Sequence, residues 1–173
     1  MTDTASAARG VRPVPEGYHT LTPVLTLDGA AEAIDFYVRA FGARELNRAV
    51  APDGQRIWHA ELQIGDSRLM VSDEFPDMGG GRGPQALGGT AGSIHLYVDD
   101  VDAFFQRALD AGATASLPLE NMFWGDRYGK LTDPFGHAWS IATHKQDVTP
   151  AECAKLGAEA MAKMGKQGAP SAK

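Results

Sequence analysis

One cysteine, Cys153, stands in a chain of 173 residues, so no intrachain disulfide can form and no thiolate cluster can hold a metal. Base is short against acid: 16 Lys and Arg face 22 Asp and Glu, a formal net charge of −6. Nucleic-acid binding takes a clustered surplus of base, and an acidic membrane surface repels such a chain, so neither partner is expected. Long apolar runs are missing as well. None approaches the roughly 20 residues of a membrane span, and MTDTASAARGVRPVPEG at the start has no apolar core of the signal-peptide kind. A cytoplasmic protein is expected. There is no GxSxG elbow, and Cys153 lies beyond the repeated body described next, so nucleophilic catalysis has no evident carrier.

What is present suffices for one globular domain: 43% of the residues are hydrophobic, and a chain of this size buries roughly two thirds of its unfolded surface. The material is written twice. LTLDGAAEAIDFYVRAFGA, residues 25–43, lies on LYVDDVDAFFQRALDAGA, residues 96–113, and Leu25 with Leu96 and Gly65 with Gly136 are both 71 positions apart. Each copy opens on alternation. Leu21, Leu25 and Leu27 share one face of a strand, as do Ile94, Leu96 and Val98, while Ser93, His95 and Tyr97 take the other. Ile34, Tyr37, Val38 and Phe41 then fall at helical spacing after a capping Asp28, and Val101, Phe104, Phe105 and Ala108 do so after Asp100, with Gly42 and Gly112 as stops. Three short strands follow each helix: 45–50, 57–63 and 67–73, then 113–119, 127–131 and 137–143. The expected fold class is α+β, two tandem βαβββ modules forming a cupped mixed sheet with helices outside.

The modules span residues 19–74 and 93–145 of one domain, 19–145, after an N-terminal tail, 1–18. A Gly-rich linker, 75–92, without apolar period reads as a crossing linker or a mobile loop over a site, and its GGGRG lacks the GKS or GKT ending of a phosphate loop. In the C-terminal tail, 146–173, Thr149 to Glu152 reads as a capping box opening a short amphipathic helix, with GKQGAPSAK frayed beyond it.

AIDFYVRAFGA, the PDG turn, YVDDVDAFF and DPFGHAW resemble the vicinal oxygen chelate superfamily of glyoxalases, bleomycin-resistance proteins and dioxygenases. HAELQIGDS with FWGDRYGKLTDPFGHAWSIATH is similar to its PhnB-like branch. The resemblance implies a cup between two sheets, a ligand inside it, a homodimer and, in the enzymes, a divalent metal held by His, Gln or Glu on the first and last strands of each module. Here those positions offer Thr22, Ser93, Leu69 or Met70, and Ser140. Hydroxyl and apolar groups do not replace such ligands, so no metal or other cofactor is expected.

The residues then point to a metal-independent binding or sequestering protein for an aromatic or cationic small molecule. The alternative is a metal-dependent lyase, isomerase or dioxygenase with a relocated site: His59 and Glu61 share a strand face by the period of two, and His95 faces the cup from another strand. Trp124 and Tyr128 are expected to line a pocket for planar ligands, with Tyr97 beside His95, whereas Trp139 alternates with Ser140 in the core pattern. Arg127 either pairs internally with Asp126 or orients an anionic ligand group. The expected ligand-binding set is therefore His59, Glu61, His95, Tyr97, Trp124, Arg127 and Tyr128. The remaining histidines, His19, His137 and His144, read as solvated or structural.

Overall fold

The structure is a computed structural model and describes residues 11–167, with side chains to residue 162. Module one comprises β1 (Val24–Leu27), α1 (Ala30–Phe41), β2 (Arg44–Val50), β3 (Ile57–Ile64) and β4 (Ser67–Asp73). Module two repeats the order with β5 (Ser93–Tyr97), α3 (Val101–Asp110), β6 (Thr114–Asn121), β7 (Asp126–Thr132) and β8 (Ala138–His144). Each module is its own four-stranded sheet, ordered β1-β4-β3-β2 and β5-β8-β7-β6, with the first strand parallel to the last and the other pairs antiparallel. The doubled α+β architecture expected from the repeat is thus the one observed.

Local departures have local causes. The first strand is shorter than its alternation suggests, because Pro23 has no N–H to give; its carbonyl accepts from Met70 and regular pairing begins at Val24. Leu21 therefore lies outside the strand and is 86% exposed rather than part of the core. Asp28 does not cap α1. The cap comes from across the sheet, where the buried Asp73 accepts from the amides of Gly29 at 3.0 Å, Ala30 at 2.8 Å and Ile57 at 2.6 Å. In α3 the expected local cap holds, with Asp100 accepting from Ala103 at 3.1 Å. Val38 is exposed, and the buried face of α1 runs instead through Ala30, Ala33, Ile34, Tyr37 and Phe41.

The segment 75–92 holds a 3-10 turn, Pro76–Met78, and a four-residue helix, α2 (Pro84–Leu87), each opened by proline at its first position. Gly83 of this segment lies so close to Leu27 that a side chain would not fit, which covers the outer edge of β1. The capping box opens α4 (Pro150–Gln167) as read, Thr149 and Glu152 bonding each other's amides, and α4 runs longer than a short helix. Of the stretch expected to fray, 165–167 is helical and 168–173 lies outside the described residues.

Each helix covers one face of its own sheet, and the two helices meet in one shared core. Tyr37 and Phe41 of α1 reach Trp139 of β8 with ring centroids 5.5 and 4.7 Å apart, and Phe41 stacks on Phe104 of α3 at 5.5 Å. Trp139, 1% exposed, is a core residue. The buried Asp133 in the β7–β8 turn ties the junction together, accepting from the Tyr37 hydroxyl at 2.8 Å, the Trp139 indole at 2.8 Å and two turn amides. Since both helix-bearing faces turn toward this core, the free faces of the two sheets point away from each other. The cup implied by the resemblance is not closed within one chain, which carries its two halves separately.

Candidate functional site

The free face of sheet two gathers four of the seven expected residues. On β5, period two sets His95 and Tyr97 on this face, with ring centroids 4.5 Å apart, and Tyr128 of β7 lies parallel to His95 at 6.0 Å. Trp124, in the β6–β7 turn, meets Tyr128 edge-on at 5.5 Å. His95 Nδ1 and Ser140 Oγ are 2.8 Å apart, and partial burial holds the imidazole below its ordinary pKa although Asp126 acts the other way.

Behind the rings sits a residue that sequence reasoning treated only as a partner for Arg127. Asp126 is 5% exposed; its Oδ2 accepts from the Tyr97 hydroxyl at 3.1 Å and the Trp124 indole at 3.0 Å, and its Oδ1 is 2.8 Å from His144 Nδ1. His144 Nε2 is 3.0 Å from Asp147, so this imidazole bridges two carboxylates and its pKa is raised, chiefly by Asp126. The hydrogen bond to Asp126 likewise raises the Tyr97 hydroxyl. An acid set among aromatics, WGDRY, was the available signal.

The other expected residues lie elsewhere. Arg127 points to the opposite side, where its Nη2 and Nε bond Asp102 of α3 at 2.5 and 2.7 Å; it forms an internal ion pair, with Asp102 in the place expected for Asp126. His59 and Glu61 do share a face, that of sheet one, with Nε2 and Oε1 3.5 Å apart. Tyr18 lies beside Glu61: Arg68 lies over its ring, and its hydroxyl is buried without a hydrogen-bond partner. Burial and the neighbouring Glu61 push that hydroxyl's pKa up to about 12. His95 belongs to the other sheet, so His59, Glu61 and His95 are not brought together within one chain. Among the described residues no three of His, Cys, Asp or Glu are placed to hold a metal ion.

A cleft of about 800 Å³ opens between the modules beside the free edge of β5, floored by Phe41, Phe104 and Trp139. Its wall includes His19, and His95 and Tyr97 stand where it meets the aromatic face. His137 is structural, its Nε2 lying 3.2 Å from the Thr26 carbonyl of β1.

Fold and site together define a paired-module α+β domain that presents an open, aromatic face on one sheet. The chain belongs to the Glyoxalase/Bleomycin resistance protein/Dioxygenase superfamily, whose family model matches residues 19–141. Among its relatives, the uncharacterized protein Rv0887c of Mycobacterium tuberculosis is 54% identical over 130 residues, 74% of this chain and 76% of that one. The crystal structure of TioX from Micromonospora sp. ML1 is similar at 33% identity and a TM-score of 0.59, covering 72% of this chain and 97% of that one. TnmS3, an antibiotic binding protein from Streptomyces sp. CB03234, shares the fold at 24% identity and a TM-score of 0.54, over 73% of this chain and 96% of that one. No helix among the described residues is long and apolar enough to cross a membrane.

Proposed function

We propose that this protein is a cytoplasmic, metal-independent binder that sequesters a small organic molecule, aromatic or cationic, against the free face of sheet two. The observation that carries the reading is the convergence there of His95, Tyr97, Trp124 and Tyr128, where the enzymes of the family place ligands and this chain has Ser93 and Ser140. Flat rings set edge-on leave faces for a planar guest, and the fixed hydrogen bonds behind them hold those faces before it arrives.

Two copies complete the cup. The free face of sheet one in one copy, with Tyr18, His59 and Glu61, closes over the aromatic face of the second copy in a symmetric homodimer. Val24 at 61% and Tyr97 at 65% exposure, one on each free face, are the apolar surfaces such a pairing buries.

The test is a thermal shift. A planar aromatic compound such as acridine raises the Tm of the purified protein, and Trp124→Ala abolishes the rise while retaining the ligand-free Tm within a few degrees. No rise with planar compounds, or a rise that survives Trp124→Ala, contradicts the reading.

A further inference from the structure

Asp126 has no Lys or Arg ion-pair partner among the described residues. The donors around it are the two aromatic residues and His144, and a carboxylate buried to this degree is kept only where such donors offset its lost hydration. Both aromatic donors bond the same oxygen, Oδ2. A phenol or indole that gives its polar hydrogen to a carboxylate gains electron density in the ring, which deepens the negative potential over its face. The open wall of this site therefore consists of rings polarised by one buried charge.

That arrangement suits a cation and penalises an anion. Two basic residues near Asp126 in sequence do not spoil it. Arg127 is neutralised by Asp102 on the far side of the sheet. Lys130 shares this face by the period of two, but its backbone pairs with Ser140, four positions along β7 from Asp126 and away from the Trp124 end. The other titratable neighbours are His95, whose imidazole feels the Asp126 charge, Lys145, which shares a small cleft with Asp126 and Arg127 and also acts on Asp102, and His144, whose charge Asp147 offsets from outside.

We propose that Asp126 is a positioning residue that tunes Tyr97 and Trp124 for an organic cation, a planar or quaternary ammonium group seated against their ring faces. This rests on the reading that the free face of sheet two binds the ligand. Asp126 acts through the rings, so its removal changes which ligand is preferred more than whether a planar one binds.

The experiment compares two probes of nearly one shape by equilibrium fluorescence titration near neutral pH: 9-aminoacridine, a cation there, and acridine, which is neutral. The full chain is expected to bind the cation about tenfold more tightly. Asp126→Asn, which keeps an acceptor for the two donors, lowers affinity for the cation by about that factor and leaves acridine within about twofold. Tyr97→Phe keeps the ring, loses the polarising bond and reduces the preference part-way, which guards against an Asp126 variant that fails to fold. Equal affinities in the wild type, or a preference intact in Asp126→Asn and Tyr97→Phe, overturn the proposal while leaving the site in place. Binding of neither probe overturns the site as well.

Discussion

Two buried aspartates divide the work of this molecule at the scale of single residues. Asp133 serves the core: removing it leaves the Tyr37 hydroxyl and Trp139 indole without an acceptor at the junction of the modules. Asp133→Ala is expected to cost about 3 kcal/mol or more in urea unfolding, since each stranded donor carries a penalty of about 1–3 kcal/mol. A loss below about 1 kcal/mol would contradict this role. Asp126 serves the face, and its partner His144 makes stability depend on pH. The folded chain holds the imidazolium more tightly than the unfolded chain, so this contribution is complete below the ordinary value of 6.5 and fades as pH rises through the raised folded pKa. Between about pH 6 and about pH 9 the wild-type Tm should therefore fall relative to that of His144→Asn, and parallel profiles would refute the coupling. Such roles were only partly legible in the sequence. Asp100 caps the amide three residues on and could be read locally, whereas Asp73 reaches α1 from the far end of the module, a contact no spacing announces.

Elements were more legible than single contacts, because periodicity is set by many residues at once. Val101, Phe104, Phe105 and Ala108 repeat at helical spacing and all four are buried. Errors arose where one residue overrules a pattern, as Pro23 shortens β1 and as the prolines of the linker open helical turns in a segment without apolar period. Packing between elements also hangs on single positions. At Gly129 a Cβ would meet the Phe105 ring at 2.8 Å and the Leu117 carbonyl at 3.1 Å, so α3 sits close on β7 only because that side chain is missing. Gly129→Ala should destabilise by about 1–3 kcal/mol through overpacking. Gly92→Ala, which meets nothing within 4 Å, supplies the control and should leave the unfolding midpoint nearly unchanged. Equal midpoints for the two variants would show that α3 tolerates displacement.

For the whole molecule, the internal repeat makes the doubled architecture plain in the sequence, since Leu25 and Leu96, or Gly65 and Gly136, occupy the same places in two modules. How the modules meet was not readable. The aromatic residues of α1 look alike whether they cover their own sheet or reach Trp139 of the other, and that choice decides whether the free faces confront each other or diverge. Divergence leaves each sheet half a cup, which is why the proposed site takes a pair of chains; the proposal of binding without a metal rests instead on Ser93 and Ser140 at positions where the enzymes of the family carry ligands. The most direct test is calorimetric titration of the planar cation 9-aminoacridine into protein freed of metal by exhaustive chelation, with metal content and molar mass measured on the same sample. The prediction is undiminished binding at one ligand per chain in a dimer. Binding that vanishes on chelation and returns with a stoichiometric divalent metal would contradict it.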